Sequence, residues 1–193
     1  MIYEFIKSRF SHFNLNEEET IVLVKILRFK RFRRKEIIFH FGERVHSIAL
    51  LVEGSAFSRT LCSDGNDQIL SFHYPTSIGE IVFNYDDYIQ GNLSQKIYQA
   101  YEDSLLLFLD VQAVKQLYAK YPKFYQLELM IMEPNLVHAL QNIRILQANS
   151  AEEKIRLLKD YYPKIFQVFP YQYIASYLGI HRNTFNNALG RLK

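Results

Sequence analysis

The chain has 193 residues, 49% hydrophobic and 22% charged, enough apolar material for a real core and for one or two domains of ~100–200 residues each. Cys62 is the one cysteine, which excludes disulfides within the chain, cysteine-rich zinc sites and a four-cysteine iron–sulfur cluster held by one chain; the absence of a long apolar run and of a signal-peptide pattern in "MIYEFIKSRF" points to a cytoplasmic protein with no membrane partner. Net charge is +3, but residues 1–149 hold 16 Lys and Arg against 17 Asp and Glu while residues 150–193 hold 7 against 3, so the cationic excess lies at the C-terminal end, as contact with phosphates would require.

The first 30 residues are expected to be helical. Asn16 caps "EEETIVLVKIL", Glu19 three residues on completes a box-like pattern, and the acids crowd the positive end of the helix dipole. The basic run "KRFRRK", residues 30–35, is broken by Phe32 and leads into a strand-like segment, so it reads as a solvated connector rather than a nucleic-acid patch. Residues 36–110 change texture to short β-branched and aromatic runs such as "EIIFHF", "SIALLVE" and "QILSFHY", punctuated by Gly42, Gly54, Gly65 and Gly79. That spacing predicts a small antiparallel β-roll, jelly-roll-like, of about eight strands, with "NYDDYIQGNLS" as a longer loop at its edge.

Beyond Asp110 the period becomes helical again. Leu129, Met132, Leu136, Leu140 and Ile143 recur at three- and four-residue steps, a stripe that packs either on a partner helix or on its own domain. Pro134 lies inside the stripe, where a missing N–H and a clash with the preceding turn predict a kink or a restart. Ser150, with Glu153 three residues on, is a capping box that opens a new unit. The expected division is therefore 1–110 for a sensor-like roll, 111–148 for linking and dimerisation helices, and 149–193 for a terminal helical domain.

The terminal stretch "IASYLGIHRNTFNNALGRLK" has the layout of a helix-turn-helix: small Ala175 inside the first helix, Gly179 at the turn, and Ile174, Leu178, Ile180, Phe185, Ala188 and Leu192 at packing offsets. The remaining face carries His181, Arg182, Asn183, Asn186, Asn187 and Arg191, with no acid from residue 181 onward. Arg182 can place two donors on guanine O6 and N7, and Asn183 or Asn187 can pair with adenine N6 and N7. Arg191, Lys193, Ser176 and Thr184 suit phosphate contacts, which set register without reading sequence. His181 stands where a helix cap belongs and can touch a phosphate as well.

These residues resemble the Crp/Fnr family of bacterial transcription regulators over nearly the whole chain. "SAEEKIRLLKDYYPKIFQVFPYQYIASYLGIHRNTF", residues 150–185, looks especially like the branch found in the Bacteroidetes, and "FGERVHSIALLVEGSAF", "DGNDQILSFHYPTSIGE" and "QAYEDSLLLFL" look like the family's glycine-punctuated roll. The resemblance implies an α+β architecture: an N-terminal cyclic-nucleotide-binding-like roll, a long dimerisation helix and a C-terminal winged helix-turn-helix. It implies double-stranded DNA, a second copy of the chain and RNA polymerase as partners, with either an unidentified small-molecule effector or a protein that binds DNA without one; no cofactor or metal is expected from the single cysteine and the scattered histidines.

In cyclic-nucleotide-binding members a Gly-Glu pair holds the ribose, and a downstream Arg followed by Ser or Thr grips the cyclic phosphate. Gly79 and Glu80 match the first half, but Ser94 and Gln95 stand in the place of the second, and no arginine lies between Arg59 and Arg144. Without the planar bidentate counter-charge, cyclic AMP is disfavoured, and Glu80 then serves to brace the roll. In the recognition helix the family's Arg-Glu-Thr-x-x-Arg becomes Arg182-Asn183-Thr184-Phe185-Asn186-Asn187, which should move readout from G·C toward A·T pairs.

Two other classes compete with a DNA-binding regulator. A metal-dependent, cupin-like enzyme would have to draw its ligands from His40, Glu43, His46 and His73, which lack a close His-x-His pair and fit structural roles better. A dimeric protein-docking module would offer aromatic or aliphatic anchors where this helix offers Arg, Asn and His.

Overall fold

A computed structural model of the chain describes residues 2–61, 67–75 and 80–192. The chain divides into two compact units, Met1–Phe57 with His73–Met132, and Ser58–Phe72 with Glu133–Lys193. No helix among the described residues is long and apolar enough to cross a membrane.

The first unit opens with α1 (Ile2–Arg9), a 3-10 turn (Ser11–Phe13) and α2 (Glu17–Ile26). The capping box of α2 is complete. Asn16 Oδ1 accepts from the Glu19 amide at 2.9 Å, and Glu19 Oε2 accepts from the Asn16 amide at 2.8 Å.

Helix gives way four residues earlier than the acidic and apolar pattern suggests, because β1 (Leu27–Phe32) starts immediately after Ile26. Leu27 and Phe32 are buried while Arg28, Lys30 and Arg31 are exposed, so the first half of the basic run belongs to a strand and its charges lie on the wet side. Lys30 spreads its stem over the Phe32 ring, Nζ 4.5 Å from the centroid. The turn that follows is pinned by Asp103 Oδ1, which accepts from the Arg34 amide at 2.7 Å.

Seven further strands follow among the described residues: β2 (Ile37–Phe39), β3 (Ser47–Glu53), β4 (Ala56–Leu61), β5 (Asp67–His73), β6 (Glu80–Val82), β7 (Ile97–Ala100) and β8 (Ser104–Asp110). They form two four-stranded sheets, in the orders β1-β8-β3-β6 and β2-β7-β4-β5. The β1–β8 and β3–β8 ladders are antiparallel, the second with a register shift between Leu51 and Glu53. The segment expected as a long loop contains a short helix, α3 (Tyr85–Gln90), closed by Gly91 in the left-handed region. Gly54, between β3 and β4, has φ +86°, and a Cβ there would lie 2.6 Å from the Asp103 carbonyl oxygen, so this turn admits only glycine.

Alternation along the strands feeds two separate cores. Ala49, Leu51, Val82 and Leu106 pack with Phe32, Ile38, Tyr98 and Ala100 inside the roll. Their sequence neighbours Leu50, Ile81 and Leu107 face the other way and pack with Ile6, Leu23, Leu117 and Phe124, beneath the helices. Those helices include α4 (Val111–Lys120), capped by Asp110, and the start of α5 (Phe124–Gln147).

α5 runs as one helix of 24 residues through Pro134, with no restart. Proline removes one ladder hydrogen bond, and the residues on both sides stay helical. Its apolar stripe is largely uncovered: Leu129, Leu136, Leu140 and Ile143 are each more than half exposed. Met132 alone of the five packs against the core beneath the helices.

The second unit combines the rest of α5 with α6 (Ala151–Tyr161), α7 (Ile165–Val168), α8 (Tyr171–Tyr177) and α9 (Arg182–Arg191). Ser150 Oγ caps α6 by accepting from the Glu153 amide at 3.1 Å. Glu153 turns to the Asn149 amide rather than to that of Ser150, so one of the two bonds of the expected box is made. α6 and α8 both pack on α9, with Ile155, Leu158, Ile174 and Phe185 fully buried.

Candidate nucleic-acid interface

The turn between α8 and α9 is built by backbone bonding that glycine permits. The Gly179 amide donates to the Ser176 carbonyl and the Ile180 amide to the Ala175 carbonyl, both at 3.1 Å. This pair of bonds, with Gly179 at φ +65°, is a complete Schellman motif. It reverses the chain within residues 178–180. Lys154 Nζ adds a cation at this helix end, donating to the Leu178 carbonyl at 3.2 Å. α9 then starts at once: His181 takes the cap position, its Nδ1 accepting from the Asn183 amide at 3.3 Å.

Burial separates the two faces of α9. Phe185, Ala188 and Leu189 are buried, and the Phe185 ring meets Tyr171 at 5.5 Å between centroids. Leu189 occupies the seam place expected for Leu192, which is exposed. His181, Arg182, Asn183, Thr184, Asn186, Asn187 and Arg191 are all exposed. At about 100° per residue, Asn183, Asn186 and Asn187 share the middle of that face, while Arg182 and Thr184 stand at its two borders. The structure thus brings three amides onto one face, with the exposed Arg182 at its border in the first turn of α9.

The remaining expected contacts are placed differently. Arg191 is exposed, but its Nη1 donates to Glu152 Oε1 on α6 at 2.8 Å. The Glu152 carboxyl is held below the usual carboxylate range by its own amide at the helix start and then by Arg191. Charge counting within residues 181–193 misses this acid, because it arrives from 39 positions away. Ser176 faces β5 of the same unit rather than the α9 face: its Oγ accepts from the Ile69 amide at 3.1 Å, and Phe72 of that strand stacks on Phe169 and Tyr177 at 4.4 and 5.4 Å. Lys193 lies outside the described residues, and no strand of a wing follows α9 among the described residues.

In the first unit, Gly79 lies outside the described residues, and Glu80 contributes its backbone to β6, opposite Leu51. Ser94 is buried, with its hydroxyl 3.0 Å from Asn84 Nδ2. The Gln95 amide donates to Asp87 Oδ2 at 3.0 Å, and Asn84 Nδ2 donates to the same carboxylate. Lys96, the nearest cation, is already committed: Nζ donates to Asn84 Oδ1 at 2.9 Å and to Asp86 Oδ1 at 2.8 Å. Two carboxylates against one ammonium leave this corner net negative. A phosphate placed here meets repulsion instead of a fork of donors.

The histidines of the metal alternative do not converge. His40 and His46 are exposed, whereas His73 is buried in the roll, where burial pushes its imidazole down to about 4. Among the described residues no three His, Cys, Asp or Glu side chains come together as a metal site.

No protein-family model matches the chain. Similarity to individual proteins is extensive. The anaerobic regulatory protein of Haemophilus influenzae is 28% identical, over 94% of this chain and 73% of that protein. The fumarate and nitrate reduction regulatory protein of Vibrio cholerae is 26% identical, over 94% of this chain and 75% of that protein. Among solved structures, FixK2 from Bradyrhizobium japonicum superposes with a TM-score of 0.69 at 20% identity, covering 86% of this chain and 84% of that one. The chain is therefore similar to these regulatory proteins along nearly its whole length, and it shares the fold of FixK2.

Proposed function

We propose that the protein is a sequence-specific DNA-binding transcription regulator, acting in the cytoplasm as a homodimer, whose roll does not bind cyclic AMP. Residues 1–110 serve as the sensor, 111–148 as the dimerisation segment and 149–193 as the DNA-binding domain. The observation that carries the reading is the exposed face of α9, which bears no acid of its own and is held outward by the buried seam of Phe185, Ala188 and Leu189. The uncovered stripe of α5 supports a second copy as partner, since a surface of this kind on a lone chain invites burial. Two copies would set Arg182, Asn183 and Asn187 into successive major grooves about 34 Å apart, on a near-palindrome. The negative corner formed by Asp86 and Asp87 supports the exclusion of a cyclic phosphate. RNA polymerase is the expected further partner of the bound dimer.

Selection from a random duplex pool tests the reading. The expected half-site is richer in A·T than the family's usual one, and recovery of a G·C-containing half-site would remove the role given to the asparagines. On the selected site, Arg182→Ala should cost about 1–3 kcal/mol and relax one base position, while Lys193→Ala should weaken every sequence alike. Equal effects on random DNA would refute these roles. Weak binding that does not fall with salt would favour protein docking instead.

A further inference from the structure

The helical side of sheet β1-β8-β3-β6 encloses a cavity of about 290 Å³, and every residue lining it belongs to the first unit. Its floor is Leu50, Ile81 and Leu107, the side chains that point away from the roll interior. The walls come from α2, α3, α4 and the first three turns of α5. The volume is near the lower end of the ~300–1,000 Å³ of small-molecule sites. Its lining is almost wholly aliphatic and aromatic, so water inside would find few polar partners.

The mouth is different in kind. Tyr118 stacks on Tyr125 at 4.5 Å, and burial, then the Glu128 carboxylate, pushes its phenol up. Lys115, the one cation among the described lining residues, holds its Nζ 5.2 Å above the Tyr88 ring. The rim's ammonium rests on an aromatic face and can turn to an anion at the opening. An occupant with an apolar body would restore the dispersion contacts that the void denies its lining.

We propose that this cavity is a binding site for a small amphiphile, its hydrocarbon body between the sheet and the helices and its single carboxylate against Lys115. The site is distinct from the roll interior, which lies on the opposite face of the same sheet. Phe124, Leu127 and Met132 of α5 line it, so the occupant touches the helix that carries the uncovered stripe. That consequence rests on the regulator reading, whereas the binding does not.

The test is calorimetric titration of the full chain, without DNA, using sodium decanoate and 1-decanol below their aggregation limits. One saturable decanoate site per chain is expected. Lys115→Met should weaken decanoate about three-fold, the range of an exposed ion pair, and leave 1-decanol unchanged. Ile48→Trp, which fills the cavity from β3, should abolish binding of both. If neither compound binds saturably, or if a folded Ile48→Trp protein still binds decanoate, the site is overturned. If Lys115→Met affects the two compounds equally, the carboxylate is overturned. Should Ile48→Trp fail to fold, the exposed Lys115 variant still decides. Because DNA is absent, failure here leaves the regulator reading untouched.

Discussion

Acidification should unfold the roll through one side chain. His73 is buried at the end of β5, its ring 5.6 Å from that of Tyr98, and burial drives the imidazole down to about 4, only partly opposed by a hydrogen bond to the Ile81 backbone. In the unfolded chain the same group titrates near its ordinary value of 6.5. Between these values the unfolded state binds more protons than the folded one, so stability rises with pH across the window and is lost as pH falls through it. The full difference corresponds to about 3 kcal/mol, a large part of the stability of a small domain.

His73→Phe removes the titration while keeping a ring of similar size. Urea unfolding followed by far-UV circular dichroism suits a chain without tryptophan. From pH 7 to 4 the parent should lose about 3 kcal/mol more than the variant. Glu19, held below the usual carboxylate range by the Asn16 amide and then by Lys123, adds its own loss near the bottom of the range. That loss is common to both proteins and cancels in the difference. Parallel curves for the two proteins would refute the assignment of the acid sensitivity to His73.

Two further outcomes concern the second unit. Phe185→Ala empties the seam between α8 and α9 and should destabilise that unit by about 3–5 kcal/mol. Hydrogen exchange should show α8 and α9 losing protection while the ladders of β1, β3 and β8 keep theirs, and duplex binding should disappear; retained binding would contradict the role of the seam. Glu152→Gln releases Arg191 from its ion pair and deletes a negative charge beside α9. Duplex affinity should rise, and the slope of log affinity against log salt should steepen by about 0.9, one added phosphate contact. An unchanged slope would show that Arg191 does not reach a phosphate.

What the chain reveals in advance is what short-range chemistry controls. Asn16 and Ser150 cap their helices, Gly179 makes the turn and His181 starts α9, because each effect is exerted within four residues. Misread features depend on partners far along the chain. β1 hides in a basic run because only its pairing with β8 makes Leu27 and Phe32 interior and leaves the charges wet. Ser176 looks like a phosphate contact until β5, 107 positions away, supplies the Ile69 amide. α3 is obscured because it has only six residues, so the i, i+3, i+4 spacing of Tyr85, Tyr88 and Ile89 is too short to stand out among the polar and turn residues around it. The cavity is equally invisible in the sequence, since an empty volume is set by how far apart the sheet and helices settle, not by any residue's type.

The β3 strand separates two interiors by the thickness of one backbone. Leu50 and Leu51 are neighbours in the chain, yet Leu50 borders the helical cavity and Leu51 belongs to the heart of the roll. Selectively labelled methyl groups at these two positions would therefore act as paired sentinels, one listening to each compartment. A molecule that enters this protein announces which chamber it occupies by which leucine resonance it moves.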